Sequence, residues 1–210
     1  MKKIVIFDFD GTIADTFPIS SEIFKDVVKD YGYEDITDED IQKLRDMSPL
    51  QIITHFKFPI WKVPELLNKV REKTYNYVKQ IKPFKGIKEM LIGLQNKNIK
   101  LGILTSNSKK IVDFFLKYKE FPEFEFIESE LNIFKKPAHL KKVISKYKYK
   151  KDEVIYVGDE VRDIEAAKHA GIDVAAVTWG YNKKHILQKS NPTILANSPA
   201  ELIKFLSTWT

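Results

Sequence analysis

From residue 82 onward, strand-like runs alternate with segments whose apolar residues recur at helical spacing. The strand-like runs cover residues 99–104, 124–127, 154–157 and 174–177, and residues 4–7 form an earlier one. A short apolar run that stops at a turn signal is typical of a strand buried on both faces. Because strands that alternate with helices pair in parallel, the sequence predicts an α/β fold, a parallel sheet with helices on both faces.

The segment from residue 17 to residue 80 has helical patterns and no strand pattern. Thr37 and Ser48 stand where N-caps are expected, each ahead of apolar residues at helical spacing. The segment is too long for an ordinary connection between a strand and a helix. We therefore predict two parts, a core domain of residues 1–16 and 81–210 and an inserted all-helical subdomain of residues 17–80.

Composition limits the class of protein. The 210 residues contain no cysteine, which excludes disulfides and thiolate metal sites and is compatible with a cytoplasmic location. We expect neither a signal peptide nor a membrane segment, because no apolar run is long enough. The net charge of +6 comes mainly from lysines without an RNA-binding motif, so we expect a solvated surface and no nucleic-acid partner.

Two carboxylates follow the first strand. Asp8 and Asp10 are two residues apart, so on an extended chain their side chains point the same way and converge. Converging carboxylates repel unless a proton or a cation lies between them. By itself this stretch fits an acidic turn and a Mg²⁺ site equally well.

Polar residues also follow the later strands. Ser106 and Asn107 end the strand of residues 99–104, and Asp159 ends that of residues 154–157. In parallel sheets, ligands bind beyond the carboxyl ends of the strands. The sequence therefore predicts one site that gathers these residues with Asp8 and Asp10. Neither a Walker A sequence nor a glycine-rich dinucleotide turn is present, which argues against a nucleotide cofactor.

Four motifs in order resemble those of the haloacid dehalogenase superfamily of phosphotransferases. They are DFDGT at residues 8–12, LTSN at residues 104–107, KP at residues 136–137 and GDEVRD at residues 158–163. The resemblance covers essentially the whole chain and implies a Rossmann-like core. The helical insert resembles the cap of the phosphoglycolate phosphatase-like branch of this family.

The motifs predict roles in phosphoryl transfer, which needs a nucleophile, charge neutralisation and positioning. Asp8 is the candidate nucleophile, and Asp10 is placed to exchange protons with the leaving group and water. Ser106 and Asn107 would bind phosphate oxygens. Lys136 would neutralise the phosphate; the resemblance favours it over its neighbour Lys135, which stays an alternative.

The same motifs predict a Mg²⁺ site formed by Asp8, Asp10 and Asp159, where the resemblance implies that Asp10 contributes its main-chain carbonyl. Asp163, one helical turn after Asp159, would be an outer ligand or would orient Lys136. Arg162, beside the acidic pair, could brace the site or form a surface ion pair, and the surface ion pair is the favoured interpretation.

Residues of the helical subdomain are expected to select the substrate, as the resemblance implies. Arg45 is the leading candidate for substrate binding, since a guanidinium pairs with a carboxylate or a second phosphate. The other candidates are polar residues of the same subdomain: Asp46, Ser48, Lys57 and Arg71. In the core, Asn182 is expected to cap a helix that runs to residue 188.

The predicted function is a Mg²⁺-dependent phosphatase that hydrolyses a small phosphorylated metabolite through an aspartyl-phosphate. Phosphoglycolate is the candidate substrate by resemblance, and a monomer or homodimer is expected. The main alternative is a phosphomutase of the same fold acting on a sugar phosphate. A regulatory protein without activity and a nucleic-acid phosphatase are further alternatives, and the complete set of site residues argues against the first.

Overall fold

A computed structural model describes residues 2–33 and 36–207. Eight strands are found at β1 (Ile4–Phe7), β2 (Ala14–Asp15), β3 (Lys82–Pro83), β4 (Lys100–Thr105), β5 (Phe126–Ser129), β6 (Val154–Gly158), β7 (Asp173–Val177) and β8 (Ile194–Ala196) in the described part of the chain. The α-helices described are α1 (Phe17–Lys29), α2 (Asp38–Leu44), α3 (Pro49–His55), α4 (Val63–Asn76), α5 (Ile87–Gln95), α6 (Lys109–Tyr118), α7 (Lys136–Lys146), α8 (Val161–Ala170), α9 (Lys184–Lys189) and α10 (Pro199–Ser207).

Six of the strands form one parallel sheet in the order β5-β4-β1-β6-β7-β8. In β1, Val5 and Phe7 pack into one apolar cluster while Ile4 and Ile6 pack into another. The first cluster contains residues of α5, α6 and α10, and the second contains residues of α7, α8 and α9. Successive strand residues point to opposite faces, so helices cover both faces of the sheet, and the predicted α/β fold is confirmed.

Helices α1 to α4 have an apolar cluster of their own. The side chains of Thr37 and Ser48 accept hydrogen bonds from the third residue of α2 and α3, as their N-cap positions predict. β2 precedes these helices in the sequence and β3 follows them. The two strands pair antiparallel, with Ala14 opposite Pro83 and Asp15 opposite Lys82. The division into a core and a helical subdomain stays a prediction.

Among the described residues, no helix has both the length and the apolar character that crossing a membrane requires.

Candidate active site

The predicted site residues meet at the carboxyl edge of the sheet. β1 lies between β4 and β6, so the residues that follow these three strands are neighbours in space. Asp8 follows β1, Asn107 lies two residues beyond β4, and Asp159 directly follows β6. All three are buried, although they are polar or charged. Buried polar groups require partners, and those partners define the site.

Lys136 lies between two carboxylates. Its Nζ is 2.6 Å from Oδ2 of Asp8 and 2.5 Å from Oδ1 of Asp163. Only 3% of the Lys136 side chain is exposed, whereas Lys135 is exposed. Pro137 follows at the start of α7, where its missing N–H group costs no helical hydrogen bond. The geometry places Lys136, and not Lys135, beside the predicted nucleophile.

Asp163 binds Lys136 and also stabilises the main chain at the start of α8. Its Oδ2 accepts hydrogen bonds from the main-chain N–H groups of Asp159 at 3.1 Å and Glu160 at 3.0 Å. Both of its oxygens are therefore used, one for Lys136 and one for the turn that follows β6. This arrangement matches the expectation that Asp163 orients Lys136.

Three buried carboxylates form a cluster that could hold a cation. Oxygen atoms of Asp8, Asp159 and Asp163 lie within 4.8 Å of one another. Burial raises the pKa of Asp8 to about 7, although the charge of Lys136 opposes this shift. Burial and the charge of Glu160 raise the pKa of Asp159 well above its usual value. The negative charges of these carboxylates are not fully balanced by neighbouring positive side chains. Such a cluster of oxygen ligands fits a hard divalent cation such as Mg²⁺.

Asp159 is fixed by the loops on either side of it. The hydroxyl of Thr12 and the main-chain N–H of Tyr181 each donate a hydrogen bond of 2.7 Å to its carboxylate. Gly11, with φ of +73°, and Gly180 pack against the same carboxylate, and a Cβ at either position would overlap it. Both glycines are thus required for the close approach of the main chain to Asp159.

The carboxylate of Asp10 is bound by Asn107. Asn107 donates from Nδ2 to both carboxylate oxygens of Asp10, each at 3.1 Å. The carboxylate of Asp10 lies outside the cluster of Asp8, Asp159 and Asp163. A role for Asp10 in metal binding therefore rests on its main-chain carbonyl. Burial raises the pKa of Asp10 and the hydrogen bond from Asn107 opposes this, which suits a group that exchanges protons.

Of the two serines that follow β4, Ser108 is the N-cap of α6 and Ser106 is not. The Ser108 hydroxyl accepts a hydrogen bond of 3.3 Å from the N–H of Ile111. Ser106 lines a cavity together with Asn107, and its carbonyl accepts a hydrogen bond from Nε of Arg71. The hydroxyl of Ser106 is thus free of a helix-capping role.

The interpretation of Arg162 as a surface residue is wrong. Only 16% of its side chain is exposed, and Nη2 lies 2.5 Å from Glu160 and 3.4 Å from the hydroxyl of Ser106. Its Nη1 atom is buried and has no hydrogen-bond partner in the described structure. The guanidinium lies at the start of α8 and contacts Glu160 and Ser106 beside the site. Adjacent helix residues do not share a face, so the local sequence carries no signal for this orientation.

Arg45 reaches across to the core loop between β7 and α9. Its Nε and Nη2 donate to the carbonyls of Tyr181 and Gly180, both at 2.9 Å. Its guanidinium also lies over the ring of Phe17, 4.8 Å from the centroid. Arg45 lines the cavity, but these nitrogens are bound to the protein. Substrate binding by Arg45 stays a prediction.

The prediction that Asn182 caps α9 is wrong. Its Oδ1 accepts from the main-chain N–H of Val161, while Nδ2 donates to the carbonyls of Arg45 at 2.9 Å and Met47 at 3.2 Å. Lys183 takes the N-cap position of α9 without a side-chain capping bond. Tertiary contacts thus occupy the Asn182 side chain, which joins the start of α8 to the helical segment.

The other polar candidates of the helical segment have separate contacts. Asp46 pairs with Lys183, and Ser48 caps α3. Lys57 is exposed, whereas Arg71 lines the cavity and binds main-chain carbonyls of Ser106 and Leu131.

A cavity of about 290 Å³ lies between the helical segment and the edge of the sheet. At one end it is lined by Asp10, Ser106 and Asn107, and at the other by apolar residues of α1 to α4. Residues of three of the four motifs thus line the same cavity as the helices.

Comparison with known proteins gives consistent matches over most of the chain. The family model described as haloacid dehalogenase-like hydrolase matches residues 5–177. A phosphoglycolate phosphatase of Synechococcus elongatus is 31% identical over 203 residues, covering 96% of each chain. A pyrophosphatase of Bacillus cereus is 26% identical over 208 residues, covering 97% of this chain and 95% of the relative.

Solved structures share the fold. A haloacid dehalogenase-like hydrolase from Streptococcus pneumoniae superimposes with a TM-score of 0.81 at 21% identity, covering 98% of each chain. A hydrolase from Pseudomonas syringae has a TM-score of 0.80 at 20% identity, covering 99% of each chain. At this identity the similarity establishes the fold alone.

Proposed function

Because the chain belongs to the haloacid dehalogenase-like hydrolase family, we propose that it is a phosphatase that hydrolyses a small phosphate monoester. The observation that carries the proposal is the contact of Lys136 with Asp8 and Asp163 beside Asp159. An ammonium group buried against a carboxylate lowers the charge repulsion that a phosphate dianion would meet there. The names of the Synechococcus and Bacillus relatives support phosphate chemistry.

In the proposed reaction, an oxygen of Asp8 attacks phosphorus, and the bond between phosphorus and the ester oxygen breaks. Asp10 gives its proton to the departing oxygen, which leaves as an alcohol. The resulting aspartyl-phosphate splits one difficult step into two. Asp10 then takes a proton from the water that attacks phosphorus, and this attack releases phosphate and restores Asp8.

Other residues hold the phosphoryl group. Ser106 and Asn107 are proposed to donate hydrogen bonds to its oxygens, and Lys136 offsets its charge. The buried Nη1 of Arg162 is a further donor at this end of the cavity. The carboxylates of Asp8 and Asp159, with the main-chain carbonyl of Asp10, are proposed to hold Mg²⁺, which would supply positive charge to the reacting phosphate.

The sequence and the relatives bear on the substrate and the setting of the reaction. Phosphoglycolate, predicted from the sequence, is supported by the name of the relative at 31% identity. Helices α1 to α4 are proposed to act as a cap that excludes water. The cytoplasmic location, the absence of nucleic-acid and membrane partners, and the monomeric or homodimeric state stay predictions.

Replacing the nucleophile tests the function. Asp8→Asn should lower phosphate release from small esters in Mg²⁺ by about 10³-fold or more, as loss of a covalent nucleophile does elsewhere. A chelator should abolish release by the unaltered protein. Asp113→Asn, at an exposed position of α6, is the matched control and should keep full activity. Activity that survives in Asp8→Asn would show that another group is the nucleophile.

A further inference from the structure

We infer that the leaving group of the substrate is an uncharged, apolar organic group, so that the natural ester is an alkyl or aryl phosphate. This inference rests on the proposed phosphatase function and narrows its substrate. It differs from phosphoglycolate and from pyrophosphate, because both of those carry a second anionic group.

The cavity gives the leaving group a defined place. Asp10, Ser106 and Asn107 line the end at which the phosphoryl group would be bound. Most of the other lining residues belong to α1 to α4 and to the loops between these helices. A leaving group protonated by Asp10 must therefore lie against the walls that these helices form.

Those walls are mainly apolar, although Ser20, Ser21 and Thr74 line them as well. Six side chains that line the cavity are only partly buried although they are hydrophobic: Phe17, Phe24, Met47, Ile52, Leu67 and Val70. Apolar surface that remains in contact with water favours any partner that removes it from water. A hydrocarbon group fits this requirement, whereas a carboxylate or phosphate would lose hydration against these six side chains.

The cations of the helical segment that line the cavity are already bound to protein acceptors. Each nitrogen of the Arg71 guanidinium has a partner, in Ser106, Asn68 and Leu131. Each nitrogen of Arg45 also has one, in Tyr181, Gln42 and Gly180. These contacts hold each guanidinium against protein acceptors, which leaves only the second N–H groups of its Nη atoms for a carboxylate or a second phosphate.

Arg162 is also not placed to bind a second anionic group on the leaving group. Its free Nη1 belongs to the phosphoryl end, because Nη2 of the same guanidinium is 3.4 Å from the hydroxyl of Ser106. Its charge is matched by Glu160, which lines the cavity as well. The carboxylate of Glu160 would repel a second anionic group bound in the cavity.

The volume sets the size of the leaving group. The cavity holds about 290 Å³, and an engineered apolar cavity of about 150 Å³ in another protein binds benzene. A leaving group the size of a benzene ring or a short alkyl chain therefore fits beside the phosphoryl group.

A series of unbranched alkyl phosphates tests the inference. Ethyl, butyl and hexyl phosphate are compared with phosphoglycolate and pyrophosphate, and kcat/KM with Mg²⁺ is measured for each. Burial of each added methylene should raise kcat/KM by about fourfold, so hexyl phosphate should exceed ethyl phosphate by roughly 10²-fold. Hexyl phosphate should also exceed phosphoglycolate and pyrophosphate.

A charge placed in the wall should remove this preference. Leu67→Asp should flatten the dependence on chain length while ethyl phosphate is still hydrolysed, because Leu67 lines the apolar end of the cavity. Leu50→Asp is the matched control, since Leu50 is 54% exposed on α3 and does not line the cavity. It should keep the chain-length dependence of the unaltered protein.

Two results would overturn the inference: kcat/KM independent of chain length, or phosphoglycolate or pyrophosphate preferred over hexyl phosphate. Hydrolysis of none of these compounds would instead contradict the phosphatase function. In that event the binding of ethyl-, butyl- and hexylphosphonate, measured by calorimetry, still decides the inference. Affinity that rises about fourfold per methylene supports an apolar binding site, and constant affinity contradicts it.

Discussion

At the scale of single residues, the buried contact of Lys136 with Asp8 and Asp163 distinguishes this site from a surface cluster of charges. Both carboxylates and the ammonium are almost completely buried. A buried ion pair is costly to form, yet removing one partner is costlier still because the other charges remain uncompensated. The residues are therefore coupled in stability as well as in the proposed chemistry.

Replacing Lys136 should affect both properties. Lys136→Ala should destabilise the fold by about 3–5 kcal/mol and abolish phosphate release, because it leaves two buried carboxylates without their cation. Urea unfolding gives the free energy, and a phosphate-release assay gives the activity. Lys135→Ala, at the exposed neighbouring position, is the control and should change neither. Equal losses in both variants would contradict the assignment of Lys136.

At the scale of elements, one contact between helices α1 to α4 and the core joins two loops. Residues 45–47, between α2 and α3, meet residues 180–183, between β7 and α9. Asn182 spans this contact and also accepts from the N–H of Val161 at the start of α8. Residues 180–183 also provide the N–H group of Tyr181 for Asp159. The position of the helices and that of the carboxylate cluster are thus linked through one loop.

Removing the amide of Asn182 should weaken this link. Asn182→Ala leaves buried main-chain partners unsatisfied, so we expect a loss of about 1–3 kcal/mol in unfolding free energy. We also expect kcat/KM to fall by about tenfold, which corresponds to ~1.4 kcal/mol of transition-state stabilisation. Gln188→Ala, which removes an exposed amide from α9, should change neither quantity. A variant with lowered stability and unchanged kcat/KM would show that the link is structural only.

At the scale of the whole molecule, several carboxylates with raised pKa values make stability depend on pH in an unusual direction. Asp8 has a pKa of about 7 in the folded chain, facing Lys136, Asp163 and Arg162, against about 3.9 for an unfolded chain. The pKa values of Asp10 and Asp159 are raised as well, mainly by burial. Between the unfolded pKa of Asp8, about 3.9, and its folded pKa, about 7, the folded state binds more protons than the unfolded state. The free energy of unfolding therefore falls as pH rises through this range.

The metal-free protein should therefore have a higher Tm at pH 5.5 than at pH 8. Saturating Mg²⁺ should raise Tm at pH 8 and reverse the trend, because a cation favours the charged carboxylates. Scanning calorimetry with a chelator or with Mg²⁺ measures both effects. Asp159→Asn should weaken the pH dependence of the metal-free protein. A metal-free Tm that is higher at pH 8 than at pH 5.5 would contradict the raised pKa values.

Much of the fold follows from the sequence alone. The strands after residue 82, the parallel sheet and the caps of α2 and α3 are confirmed because periodicity and capping are local properties. The family was predicted from four motifs in order, and the family model that matches residues 5–177 confirms it. The same motifs predicted Asp8, Asp10, Asn107, Lys136 and Asp159, which the structure brings to one edge of the sheet.

Only the tertiary structure decided how the charged side chains are oriented. Lys136 and Asp8 are 128 residues apart, and Arg45 meets Gly180 across 135 residues. The local sequence around Lys135 and Lys136 is compatible with either lysine, and the turn into α7 directs only the second toward the site. Arg162 likewise points inward because of the direction in which α8 leaves β6. The sequence determined which elements form and which groups follow them, while the packing of distant elements determined which groups meet.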